Sequence, residues 1–360
     1  MNWFNGDGGG QSRAPDPSSP TNSPCQCLQC ENQHLRAQVQ GFERALAAKQ
    51  DQMDKMTALL EARTVDLQAA RVFLHRADNI ADSDVIPLVA TLNALAYQTA
   101  AAIADAHQDR RAGEKDGVAQ ACETLVKGGL LSKTFVDTLR RAKHDGEPFL
   151  VQVGIQAIMV AYAHRLSLAW DLWDRGTQKA YEEVYQSIRA HEPQPISAQW
   201  RILCRTHIRA LRKPEDRLCQ RNEEELTTQL AIVLRACGVS DSTEELHREL
   251  QAAHAGALRD FIRTAFDFRR VVGEEVVSRH MSLVSVTHGK DFDYKEMTDD
   301  WADLRKRARE EQEVGRQTVL CTTSLGLLRE IEDGAKGRNA RRVVLLVKPK
   351  VVLESMLASL

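Results

Sequence analysis

Four soft or borderline metal ligands crowd into ten residues near the start of the chain, spaced C-x-C-x2-C-x3-H: Cys25, Cys27, Cys30 and His34. Thiolate and imidazole are the groups zinc prefers, and four of them can surround it tetrahedrally. The loop that separates two ligand pairs in zinc fingers is missing. The same residues also carry a helix-start signal, with Ser23 at the N-cap, Pro24 at the first helical position and Gln26 three residues after the Ser. On a helix, Cys27, Cys30 and His34 share an outer face while Cys25 faces the opposite seam, so the four cannot reach one ion. The helix is the better reading, and no metal or other cofactor is expected.

Other candidate chemistry is sparser. Nucleophilic catalysis needs a base and an orienting group beside the nucleophile. His164, His191 and His207 lie near Cys204 in sequence, but Cys204 falls on the apolar face of its segment, which favours packing. No G-x-S-x-G, H-E-x-x-H or P-loop is present. Asp291, Asp293, Asp299 and Asp300 read as a solvated face. The stretch 336–360 carries six Lys or Arg (Lys336, Arg338, Arg341, Arg342, Lys348 and Lys350) against one Glu. It is a candidate nucleic-acid contact or nuclear address.

The elements that would position these groups follow from patterning. The chain has 360 residues, 43% apolar, 27% charged and 5% aromatic, with net charge −2. So even a balance argues against a protein devoted to nucleic acid or anionic membranes. Residues 1–24 hold four Gly, four Pro and four Ser and are expected to be disordered. Met1 to Gly10 does not resemble a signal peptide, so an intracellular, reducing setting is expected, cytoplasmic or nuclear. The longest apolar stretch, Phe149 to Trp170, is interrupted by Gln152, Gln156, His164 and Arg165 and reads as a core helix rather than a membrane span.

A heptad repeat occupies 25–77. With a at Val39, the a row continues through Leu46, Met53, Leu60, Leu67 and Leu74. The d row is Leu35, Phe42, Lys49, Met56, Arg63 and Ala70. One heptad upstream, a is Asn32, a polar residue that fixes register and favours two strands. This is a coiled-coil seam, and a homodimer is the expected partnership.

Residues 82–335 read as one helical array. Ser83, Ser132, Asn222 with Glu225 and Ser242 with Glu245 mark helix starts. Long helices are expected over 149–174, 196–212 and 242–272, a charged helix after Thr298 and Asp299, and another over 318–333. Leu283, Val286 and Phe292 with His288-Gly289 suggest a small hairpin within 282–294. The expected fold is therefore all-α, an N-terminal coiled coil followed by a multi-helix array, with a basic tail at 336–360. Trp170, Trp173 and Trp200 are its expected buried aromatics.

The segment LQAARVFLHRADNIADSDVIPLVATLNALAYQTAAAIAD (67–105), with AYAHRLSLAWDLW and SAQWRILCRTHI further on, resembles a family of uncharacterised proteins from mushroom-forming fungi. The resemblance implies a coiled coil followed by an all-helical region. It implies no activity, cofactor or catalytic residue.

These features point first to a helical scaffold or adaptor that self-associates and presents a surface to a protein partner. A nuclear regulator using the basic tail is the second reading, and an enzyme without a local motif the third. Protein purified without chelator should carry no stoichiometric zinc, and mild oxidation should cross-link two chains through Cys25. Elemental analysis showing about one zinc per chain, lost on replacing Cys27 and Cys30 by Ser, would overturn the helical reading of 25–34.

Overall fold

A computed structural model describes residues 24–74, 80–108, 110, 115–142, 148–212, 215–301, 317–332 and 341–359. The chain divides into two compact units, 1–72 and 73–360. In the first, α1 (Pro24–Leu74) is one unbroken helix of 51 residues, about 77 Å long at 1.5 Å per residue.

The second unit is organised around α5 (Phe149–Leu168). Its sequence FLVQVGIQAIMVAYAHRLSL has no polar stripe, and a helix apolar all round must be covered all round. α2 (Asp82–Ala106), α8 (Glu215–Ala236) and α9 (Thr243–Arg270) pack against it, and β1 (His280–Val284) and β3 (Val319–Ser324) cover the remaining side. By length and composition α2 and α5 could each cross a membrane, but 72% of the apolar window of α5 lies buried inside the protein. Its three buried polar side chains are tied to neighbours: Gln156 Nε2 donates to the Thr323 carbonyl at 2.8 Å, the Tyr162 hydroxyl donates to Asn222 Oδ1 at 2.9 Å, and the Ser167 hydroxyl donates to the His164 carbonyl at 2.7 Å. α3 (Lys115–Lys127) packs on α8 and on α4 (Lys133–Arg141). α6 (Gln178–His191) packs on α7 (Gln194–Leu211), which rests on a π-helical turn at Val271–Glu275.

The last third of the chain is a bent ribbon. β3 and β4 (Gly326–Glu332) form one leg, interrupted at Leu325. β5 (Arg341–Val347) and β6 (Lys350–Leu353) form the other, interrupted at Lys348 and Pro349. β4 pairs with β5 and β3 with β6, both antiparallel. The ribbon therefore passes from one three-stranded sheet to another at the two interruptions. β1 completes the first sheet antiparallel to β4, and β2 (Thr298–Asp299) completes the second parallel to β6, giving orders β1-β4-β5 and β2-β6-β3. Pro349, lacking an N–H, suits the break. Gly326 faces it so closely that a Cβ would lie 2.6 Å from Pro349 Cδ and 2.7 Å from the Val347 carbonyl oxygen. The Asn93 side chain of α2 clasps the bend: Nδ2 donates to the Leu325 carbonyl at 3.0 Å and Oδ1 accepts from the Leu325 N–H at 2.8 Å.

The mostly helical class stands, with nine α-helices among the described residues, but the expected uniform array does not. Residues 318–333, read as a helix, are β3 and β4; the Thr-rich run VLCTTS prefers the extended chain. The tail 336–360 is no free tail, since 341–353 supplies β5 and β6. The hairpin within 282–294 does not form. β1 pairs with β4, and Asp291 bridges to Thr318 after a turn at Gly289, where φ is +76°. Thr298 and Asp299 form β2, with Asp299 Oδ1 accepting from the Trp301 N–H at 3.1 Å. The helix expected beyond them lies outside the described residues, as does the expected disorder of 1–23. The Ser132 and Ser242 caps hold. Asn222 does not cap: α8 begins at Glu215, and Asn222 is buried in its interior. Ser83 does not cap either, because α2 begins at Asp82 and Asp84 accepts from the Ala81 N–H.

Gly326→Val should destabilise the second unit by about 2–3 kcal/mol, because the clash falls on backbone that cannot rotate away. Gly256→Ala in α9, where a Cβ meets nothing within 4 Å, should instead stabilise by about 0.5–1 kcal/mol. Urea unfolding of both variants checks the contrast.

Candidate functional site

Helical spacing on α7 places Arg201, Arg205 and Arg209 on one face, four residues apart. That face meets the π-helical turn 271–275, whose carbonyls and carboxylate receive the guanidiniums. Arg201 donates from Nε to the Gly273 carbonyl at 3.3 Å and from Nη2 to the Val276 carbonyl; its Nη1 lies 3.1 Å from His280 Nδ1 and 3.3 Å from the Tyr185 hydroxyl. Arg209 forks onto Glu274, with Nε and Nη2 3.0 and 2.9 Å from Oε2. Arg205 lies between them, its Cζ 5.0 Å from the centre of the Trp170 ring. A Cβ on residue 273 would come within 2.5 Å of Arg205 Nη1, so glycine is what lets this side chain pass.

Trp170 is the centre of an aromatic cluster. Tyr185 and Trp200 meet it edge-on at 5.0 and 5.3 Å, Tyr185 stacks on Trp200, and the Trp170 Nε1–H donates to Glu182 at 2.8 Å. Of the three expected buried tryptophans, Trp170 is fully buried, while Trp173 and Trp200 are half-buried. The helix expected over 149–174 stops at Leu168, because Arg269 Nε donates to the Ala169 carbonyl at 2.8 Å and Nη2 to the Trp170 carbonyl at 2.7 Å. Gln178 caps the Trp170 N–H and Asp171 the Trp173 N–H. The resulting loop, with α7, α8 and the end of α9, encloses a cavity of about 280 Å³.

Three of these guanidiniums, Arg201, Arg205 and Arg269, are buried and form no ion pair among the described residues. Burial, with Arg269 and Arg201 nearby, lowers Arg205 to about 9. Burial lowers Arg269 to about 10 despite the carboxylates of Glu274 and Asp171. Both stay charged near neutral pH. Burial first, then the field of Arg201, Arg189, Arg205 and Arg341, holds His280 well below its usual value. Neutral His280 can therefore accept from Arg201 at Nδ1.

The residues singled out from sequence lie elsewhere. The seam residues of α1 are exposed, from 53% at Leu35 to 73% at Phe42, and Asn32 is exposed with them. The side chain of Leu74 lies outside the described residues. Cys25 and Cys27 fall in the first turn of α1, their side chains also outside the description, while Cys30 and His34 are exposed. The backbone of 25–34 is helical, and tetrahedral ligation would require it to unwind. Lys336 and Arg338 lie outside the described residues. Arg341 on β5 donates to the Arg189 carbonyl, Lys348 to the Tyr294 carbonyl at 2.8 Å, and Lys350 pairs with Asp300 at 3.0 Å; Arg342 is exposed. Cys204 is partly buried, burial raises its thiol, and none of His164, His191 and His207 hydrogen-bonds to it. Sequence reasoning missed the arginine cluster, although the i, i+4, i+8 spacing of Arg201, Arg205 and Arg209 was there to find.

No family model, no curated protein and no solved structure matches the chain.

In the unfolded chain His280 takes up a proton below about pH 6.5; in the folded protein it does not. Stability should therefore fall as pH drops through that value, by up to about 1.4 kcal/mol per pH unit for one histidine. His164 and His254, also lowered by burial, act in the same direction. Urea midpoints measured from about pH 7.5 down to about 5.5 should decline, and His280→Gln should flatten that decline.

Proposed function

We propose that the protein is a helical scaffold that dimerises through α1 and carries the 73–360 unit as its partner-presenting body. The supporting observation is the exposed apolar seam of α1: Leu35, Val39, Phe42, Leu46, Met53, Met56, Leu60 and Leu67 are each more than half exposed. Eight such side chains along one stripe are a large unfavourable exposure, since burying each is worth about 1.5–3 kcal/mol.

A second copy is the best-fitting occupant. The heptads match themselves, and Asn32 at a pairs with its twin only in a parallel, in-register dimer. Positions e and g, among them Gln38, Ala45, Gln50, Gln52 and Thr57, are mostly uncharged and raise no repulsion between copies. The two charged d positions are tempered within the helix: Lys49 Nζ donates to Gln52 at 3.4 Å, and Arg63 lies 3.9 Å from Asp66. Their aliphatic stems can cover the seam while the charges reach water.

Light scattering should give the full chain twice its 40.3 kDa mass, and a chain starting at Ala81 a monomer. Leu60→Asp should weaken the dimer, since it buries a charge without a partner. A monomeric full chain at micromolar concentration would sink the proposal.

A further inference from the structure

The cavity under the 169–174 loop plays no part in dimerisation, yet one of its buried charges has no ion pair among the described residues. At its rim every arginine has a carboxylate. Arg209 forks onto Glu274, Arg212 meets Asp171 at 3.0 Å, and Arg270 pairs with Glu275 and Asp267. These rim side chains are nearly half exposed, so the mouth is open to water. Arg269, by contrast, is 4% exposed and forms no ion pair among the described residues. Its Nε and Nη2 are spent on the Ala169 and Trp170 carbonyls, and its other Nη has no acceptor among the described residues. Arg205, behind Trp170, adds a second buried positive charge, also without an ion pair.

A second, independent deficit lies in the same cavity. Trp173 lines it, and its Nε1–H is buried with no hydrogen-bond partner. A buried donor left without an acceptor has lost its water and gained nothing in return. Both deficits are of acceptors, and one also calls for negative charge. Trp170, Leu218 and Phe266 give the cavity an apolar wall, and Thr206 and the exposed Glu215 also line it. The volume of about 280 Å³ sits at the small end of ligand cavities, which run from roughly 300 to 1,000 Å³.

We propose that this cavity binds a small amphipathic monoanion, an aromatic or short aliphatic carboxylate or sulfonate. Its acidic group sits against Arg269, with the Trp173 Nε1–H as a further donor, and its apolar body lies against Phe266, Leu218 and Trp170. Arg269, the buried guanidinium that lines the cavity without an ion pair among the described residues, matches a single negative charge. Free phosphate has no apolar body to lie against that wall.

Titration calorimetry on the full chain with 1-naphthoate tests this, with naphthalene-1-carboxamide as the neutral isostere and inorganic phosphate as the anion without an apolar body. We expect one naphthoate per chain, at least tenfold tighter than either control. Arg269→Met should abolish the preference for the acid over the amide. Because Arg269 also holds the loop, a second variant leaves it in place: Ala210→Trp fills the mouth from exposed helix α7 and should lose at least tenfold in naphthoate affinity with an unchanged circular dichroism spectrum. Equal binding of acid and amide, phosphate binding as tight as naphthoate, no naphthoate binding at millimolar concentration, or full binding by a folded Ala210→Trp would each overturn the proposal.

Discussion

Arg269 donates to the carbonyls of Ala169 and Trp170, and through them it sets where the central helix ends. In a continued helix those two oxygens would accept from N–H groups one turn further on. Captured by a guanidinium from α9, they leave the helix at Leu168, and the chain turns away with Ala169 in an extended conformation. The turn swings Trp170 into the core, where Tyr185 and Trp200 close on it. It leaves Trp173 on a loop rather than on a helix face. The position of the aromatic cluster, the existence of the cavity and the seating of α6 all follow from that capture.

The same logic extends across the arginine cluster. A buried guanidinium brings five donors and a charge, and it is tolerated only where acceptors are dense. Regular helices offer few spare carbonyls, because each is used inside the helix. This part of the fold therefore breaks regularity twice, once at 169–174 and once in the π-helical turn at 271–275, and each break frees carbonyls that face an arginine. Gly273 serves both purposes, giving its carbonyl to Arg201 and its missing side chain to Arg205. Local regularity has been exchanged for the accommodation of charge.

Much of the helical layout was legible because it rests on local signals. The Ser242–Glu245 capping box, the Ser132 cap and the all-round apolarity of Phe149–Leu168 each act within a turn or two and survive in the structure. What was not legible rests on partners distant in sequence. The end of α5 is decided by Arg269, a hundred residues on. Asn222 and Glu225 spell a capping box but serve Tyr162 and Arg165 instead. The segment 326–332 has apolar residues that fit a helix as well as a strand, and only pairing with 341–347 settles it. The arginine cluster was hidden for the same reason: charged residues four apart on an amphipathic helix look like a solvated face until the element that covers them is known.

β6 is the middle strand of its sheet, with β2 and β3 on either side. During synthesis both outer strands leave the ribosome first. At about 5–20 residues per second, the 26 positions from Ser324 to Lys350 take roughly 1 to 5 s to make. For that interval β3, with Val319, Leu320 and Cys321 destined for the interior, has no partner on the edge that β6 will occupy. An unpaired apolar edge is a template for another chain. Several ribosomes on one message hold such edges close together, so the yield of folded protein should depend on translation rate and on chaperone supply as well as on final stability.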